Sequence, residues 1–204
     1  MAKVEHYYTK FEEGKFYHIY NRSVDKQPMF KSDDNYRFFL VKLNKYLNDV
    51  LGLYAYCLLG NHFHLLIRIK DDLSGFRTSK NINIETSTHD VVSKLFKNFF
   101  QSYAMAYNVQ QNRSGTLFQT PFKRVLINDE SYLTQIIFYI HANPQKHTLV
   151  SDFRNWKWSS YNSIISKKPS NLKRQEVLEW FGGEIEFLRF HSEIHNQIRE
   201  KNSF

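Results

Sequence analysis

Two imidazoles two residues apart, His62 and His64, sit in the run HFHLLIRI, whose Phe, Leu and Ile content reads as a β-strand. Side chains alternate along a strand, so both imidazoles leave one face and Phe63 the other, an arrangement preset to chelate a cation. Two polar residues on the wet side of a half-covered sheet would show the same spacing. Farther on, Tyr139 and Asn143 lie four apart in a run where Leu133, Ile137 and Ile140 trace an apolar helical stripe, so the phenol and the amide share a different face. The phenol is a candidate nucleophile, and a tyrosine packed with its hydroxyl at the rim is the plainer account. Tyr132 lies on the same face two turns earlier, but the residue four beyond it is Ile136, which neither ligates a metal nor bonds a phosphate. Tyr139 is the stronger candidate.

The elements that must position these groups follow from periodicity. FYHIYN, Phe16 to Asn21, reads as a first strand. From Asp33, behind the capping cluster Ser32-Asp33-Asp34, the spacing of Tyr36, Phe39, Leu40, Leu43, Leu47 and Val50 predicts an amphipathic helix. Leu53–Leu59 and His62–Ile69 are strands joined through Gly60-Asn61, a favoured hairpin pair. Lys70–Thr88 is polar and reads as a long excursion. A broad stripe from Val91 to Tyr107 predicts a second long helix, Phe122–Ile127 a fourth strand, and Asn128-Asp129 the cap of a third helix that Pro144 stops. The order βαββαβ predicts an α+β, ferredoxin-like antiparallel sheet, with an additional C-terminal helix carrying Tyr139. The expected division is a catalytic domain over residues 1–150 and a basic, aromatic extension over 151–204, packed on or beside it, with one or two helices around Gly182-Gly183.

Composition narrows the class. In 204 residues there are 28 Lys+Arg against 20 Asp+Glu, a formal charge of +8, and 42% of residues are hydrophobic, with only 7 Gly and 4 Pro, which excludes collagen-like and wholly disordered chains. The lone Cys57 forms no intramolecular disulfide and no cysteine-rich zinc site. The start lacks the apolar core of a signal peptide and no apolar run suffices to span a bilayer, so a cytoplasmic, nucleoid-associated protein with no membrane partner is expected. The excess of cations makes nucleic acid the first candidate partner, with a simply basic soluble protein as the alternative.

Five blocks in order, YHIYNRSVDKQPMF, LLGNHFHLLI, SGTLFQTPFKRVLI, DESYLTQIIFYIHANPQKH and WKWSSY, resemble the REP-associated tyrosine transposases of the HUH single-strand DNA transposase superfamily. The resemblance covers about Phe16 to Tyr161. It implies that His62 and His64 are the HUH pair, with Phe63 the bulky residue between them, that Tyr139 is the nucleophile, and that Asn143 stands where relatives carry a third, amide metal ligand, commonly a glutamine one methylene longer. It further implies a divalent cofactor, a 5′-phosphotyrosine intermediate, strand transfer on hairpin-flanked single-stranded DNA, and action as a monomer or homodimer.

The chemistry fits those groups. A phosphodiester anion repels nucleophiles, and an ion held by neutral imidazoles and an amide keeps its charge for the phosphate, which suits Mg²⁺ or Mn²⁺. Arg68, Lys123 and Arg124, on or beside strands, are candidate backbone contacts or solvated strand-end charges. In the C-terminal stretch Lys146, Arg154, Lys157, Lys167, Lys168, Lys173 and Arg174 interleave with Trp156, Trp158 and Tyr161, as cations for phosphates and rings for unpaired bases, or as rings that anchor the tail to the core. Two other classes fit the sequence less closely: a non-catalytic ferredoxin-like nucleic-acid-binding module, and an HUH replication initiator or relaxase.

Overall fold

In the computed structural model, which describes residues 9–201, four strands form one antiparallel sheet in the order β2–β3–β1–β4. They are β1 (Phe16–Arg22), β2 (Leu51–Leu59), β3 (His62–Ile69) and β4 (Lys123–Ile127). Helix α1 (Asp33–Leu47) joins β1 to β2, and α3 (Thr88–Gln110) lies between β3 and β4, which is the expected βαββαβ order. Both helices cover one face, where Phe63 of β3 meets Phe39 of α1 at 5.0 Å and Phe100 of α3 at 5.9 Å between ring centroids. Fully burying each such ring is worth about 1.5–3 kcal/mol, so this aromatic layer fixes which side of β3 turns inward. The histidines flanking Phe63 therefore face the other way.

Local chemistry moves several boundaries. α1 ends at Leu47, and Val50, although on its periodic stripe, is a buried link to β2 whose carbonyl accepts from Lys70 N–H at 3.0 Å. The polar excursion after β3 contains a short helix, α2 (Ser74–Ser79). Its Arg77 is buried and ties the segment down by donating to the Thr86 carbonyl at 2.5 Å and to Thr88 Oγ1 at 3.2 Å. The helix that carries Tyr139, α4 (Leu133–Lys146), follows a 3-10 turn at Glu130–Tyr132 that Asp129 caps, so Tyr132 belongs to the turn and not to the helix. Pro144 does not stop α4. It removes only one N–H, and the last turn closes through His147 N–H to Asn143 O and Leu149 N–H to Pro144 O, both 2.9 Å.

α4 crosses the face of the sheet opposite α1 and α3, over β2 and β3. The chain then covers the free edge of β2, where Leu58 N–H donates to Trp158 O and Ser160 N–H to Tyr56 O, each at 2.9 Å. Trp158 stacks on Tyr36 at 4.6 Å and Trp156 Nε1 donates to Leu58 O at 2.9 Å. The two rings pack the tail onto α1 and β2, the anchoring account of the two that the sequence allows. After α5 (Tyr161–Ile164), α6 (Arg174–Phe181) and α7 (Glu184–Lys201) flank Gly182-Gly183, both left-handed, as a C-cap requires. The ends of the division into residues 1–150 and 151–204 fall outside the described residues at 1–8 and 202–204. Among the described residues no helix is long and apolar enough to cross a membrane.

A buried polar relay holds α4 in place. Tyr56 N–H donates to Ser160 Oγ at 2.9 Å, Ser160 Oγ lies 2.8 Å from His141 Nε2, His141 Nδ1 lies 3.0 Å from His191 Nε2, and His191 Nδ1 lies 2.8 Å from the Phe187 carbonyl. A carbonyl only accepts, so His191 carries its proton on Nδ1, His141 Nδ1–H donates to His191 Nε2, and the Ser160 hydroxyl donates to His141 Nε2. Every group is satisfied with both rings neutral. A proton added to either ring sets two N–H groups against each other or against a donor hydroxyl.

At the far side of the sheet Arg124 pairs with Ile19 and turns to the α1–α3 face, 8% exposed, donating Nε to the Thr9 carbonyl and lying over the rings of Phe11 and Phe122 at 5.2 and 5.3 Å. This guanidinium is committed to packing, which corrects its assignment as a DNA contact.

Two outcomes follow for stability. Burial holds His191 down at about 4 and His141 well below the usual imidazole range, so the unfolded chain takes up protons that the folded chain excludes. Stability is then complete above the unfolded value near ~6.5 and is lost as pH falls toward 4, by about 3 kcal/mol for His191 alone. Urea unfolding at about pH 7.5 and about pH 4.5 tests this, and equal midpoints would contradict it. Replacing Arg124 by Gln should cost about 1–3 kcal/mol in the same assay at neutral pH, because the Thr9 carbonyl loses its charged donor.

Candidate active site

β3 and α4 together place the chemistry. Strand alternation and the Phe63 anchor turn His62 and His64 toward α4, where they are 8% and 6% exposed. Tyr139 presents its ring edge to His64 at 5.7 Å, and His147, just past the end of α4, meets His62 at 4.7 Å. Asn143 lies midway, four residues from each, on the same strip of the helix. It is 1% exposed, buried on the helix that packs over β3.

The donor atoms can be assigned by proton counting. Asn61 Nδ2 donates to the Lys26 carbonyl at 2.9 Å, which fixes the orientation of its amide. Asn61 Oδ1 then accepts from His62 Nδ1–H at 2.7 Å, leaving His62 Nε2 with a bare lone pair. Asn143 Nδ2 donates to the Tyr139 carbonyl at 2.7 Å, leaving its oxygen. His62 Nε2 and Asn143 Oδ1 are both buried and have no hydrogen-bond partner. Native structures rarely leave such atoms unmet, and these two acceptors lie on elements packed against each other, β3 and α4. Burial foremost, then the neighbouring His147 and Arg22 charges, pushes His62 down to about 4, and burial with His18 and His62 pushes His64 well below its usual range. Both imidazoles are neutral at pH 7, as ligands must be.

The phenol and the cations divide between rim and elsewhere. Tyr139 is 40% exposed and Lys146 Nζ lies 5.1 Å from its ring centroid. Lys123, Tyr20 and His64 form one row across β4, β1 and β3, with Lys123 Nζ 5.4 Å from the Tyr20 ring centroid. The structure thus brings Lys123 and Lys146 to the site with His62, His64, Tyr139 and Asn143. It does not bring the others. Arg68 is on the same sheet face as the histidines but four residues beyond His64 along β3, bonded to Asp71 at 2.6 Å. Arg154 is held by Asp152, Lys157 by Asp33, Lys173 by Glu176 at 3.2 Å, and Arg174 by the Lys168 carbonyl at 2.6 Å. Lys167 and Lys168 are exposed.

Sequence reasoning passed over His18, Asn61 and His147. His18 and Tyr20 share the face of His64 only through the β1–β3 register, Tyr20 opposite His64, and the period-2 pattern of FYHIYN was the one signal available. Among the described residues no three His, Cys, Asp or Glu side chains converge as a metal group.

No family model matches the chain. A protein of Haemophilus influenzae described as "Putative REP-associated tyrosine transposase" is 29% identical over 113 residues, which are 54% of this chain and 59% of that protein. A solved structure of a REP-associated tyrosine transposase bound to a REP hairpin superposes with a TM-score of 0.57 at 16% identity, covering 79% of this chain and 86% of the other, a likeness of fold. The chain is therefore similar in sequence to one REP-associated tyrosine transposase and in fold to a solved structure of such a transposase, the same resemblance that its ordered motifs carry.

Proposed function

We propose that the chain is a metal-dependent single-strand DNA endonuclease and strand transferase, a REP-associated tyrosine transposase acting at hairpin-flanked sites. The observation that supports this most is the pair of buried, partnerless acceptors, His62 Nε2 and Asn143 Oδ1, on the packed elements β3 and α4, with the half-exposed Tyr139 ring 5.7 Å from that of His64. These residues fit a divalent ion: His62 and His64 would hold it through nitrogen and Asn143 through oxygen. When bound, Mg²⁺ or Mn²⁺ would neutralise and polarise the scissile phosphate.

The chain's own groups do the rest. Tyr139 Oη, losing its proton, forms a bond to phosphorus while the bond to the 3′ oxygen breaks and that oxygen takes up a proton. The product is a 5′-phosphotyrosine and a free 3′ hydroxyl. Attack by the 3′ hydroxyl of another DNA end reverses the step and releases the phenol, so the bond energy is conserved for rejoining. Lys146 beside the Tyr139 ring and Lys123 at the row's end are placed to meet phosphates flanking the cut. In this reading residues 1–150 hold the chemistry, and 151–204 extend it, with Lys167 and Lys168 reaching the duplex or loop of a hairpin. The chain would work on DNA in the cytoplasm, as a monomer or homodimer.

Incubation with hairpin-containing single-stranded DNA and Mn²⁺, followed by denaturing electrophoresis, should give a covalent adduct. Tyr139→Phe should abolish the adduct with DNA binding retained, Tyr132→Phe should keep it, and excess chelator should prevent it. An adduct that survives Tyr139→Phe would contradict the assignment. Changing Lys123, Lys146, Lys167 and Lys168 to Gln should flatten the logarithmic salt dependence of binding by about 0.7 per lost phosphate contact. An unchanged slope would move the DNA path to another face.

A further inference from the structure

His62 and His64 face the same requirement: an imidazole that binds a cation through one nitrogen must keep its proton on the other. For His62 the partner is Asn61, whose oxygen accepts the Nδ1 proton. For His64 the partner is a second imidazole. His18 Nε2 lies 3.0 Å from His64 Nδ1, and the two rings meet edge to edge, 5.2 Å between centroids with 21° between their planes, as an in-plane hydrogen bond requires. Tyr20 stacks on both, at 5.0 Å from His18 and 5.6 Å from His64, and Tyr139 meets His18 edge-on at 5.9 Å. His18 thus touches the metal-facing histidine and the nucleophile's ring from a strand that neither occupies.

With Nδ1 turned onto His18, the nitrogen that His64 has left for a cation is Nε2. Two proton arrangements satisfy the 3.0 Å contact. If His18 donates, His64 carries its proton on Nε2 and is closed to a cation. If His18 accepts, His64 carries its proton on Nδ1 and Nε2 is bare. We propose that His18 is a positioning residue that accepts the His64 Nδ1 proton and so holds His64 in the one tautomer able to ligate through Nε2. The proposal rests on the metal-dependent reading of the site. It gives each of the two imidazole ligands its own proton acceptor, a side-chain amide for His62 and an imidazole for His64, and partners of this kind typically change metal affinity 10–100-fold when removed.

The test uses the full chain labelled with ¹⁵N-histidine and Mn²⁺ alone as the probe. Long-range ¹H–¹⁵N spectra of the metal-free protein should show His64 as a single tautomer protonated on Nδ1. His18→Phe should remove that preference and weaken Mn²⁺ binding roughly 10–100-fold, whereas His18→Gln, whose oxygen can accept the same proton, should restore both. A wild-type His64 protonated on Nε2 would overturn the proposal, whether or not the variants fold. So would Mn²⁺ affinity unchanged in a folded His18→Phe protein. Failure of the wild type to bind Mn²⁺ would overturn it through the metal reading, and an intact Nδ1–H tautomer would then distinguish that failure from one at His18.

Discussion

The seating of α4 on the sheet is the constraint from which the site follows. The roles proposed for Tyr139 and Asn143 require a set height over β3, and hydrophobic contact alone is non-directional. The relay from Tyr56 N–H through Ser160, His141 and His191 to the Phe187 carbonyl supplies direction, tying β2, the tail, α4 and α7 with donors and acceptors that match one for one. In a low-dielectric interior a fully satisfied polar network specifies one arrangement and penalises others, since any slip leaves a buried group unmet. His141 stands between Tyr139 and Asn143 in sequence and points away from them, so locking it sets the helix rotation. The C-terminal segment is thereby part of the active-site scaffold.

The same accounting that closes in the relay stays open across the helix. There, His62 Nε2 and Asn143 Oδ1 are the atoms left over. Burial keeps both imidazoles neutral, and the cost of desolvating lone pairs without partners is offset when a cation supplies them. Neutral ligands leave that cation's charge for an incoming phosphate. Tyr139, by contrast, is half in solvent, with Lys146 beside its ring.

Much of this was legible in the residues. The bounds of β3, the Gly60-Asn61 turn, the sheet's topology and the facing of His62 and His64 opposite Phe63 all follow from alternation and turn chemistry, which are local. What was not legible depends on distant pairing. His18 joins His64 through a strand register spanning 46 residues, and Arg124 is turned inward because the segment at Thr9 and Phe11 folds over it. Pro144 reads as a stop because its own N–H is missing, whereas the structure shows the following turn closed by His147 and Leu149. The tryptophans of WKWSSY fit a base-stacking surface and an anchor alike until the open edge of β2 is seen to need a cover.

The central claim is that two imidazoles and one amide, of which His62 Nε2 and Asn143 Oδ1 are left unmatched by the protein itself, form a cation site beside Tyr139. Anomalous diffraction from crystals of the full chain soaked in Mn²⁺ tests it most directly. The account predicts one strong peak within ~2.1 Å of His62 Nε2, His64 Nε2 and Asn143 Oδ1. A gap filled by water alone at saturating Mn²⁺, or a peak that leaves Asn143 unbound, would contradict it.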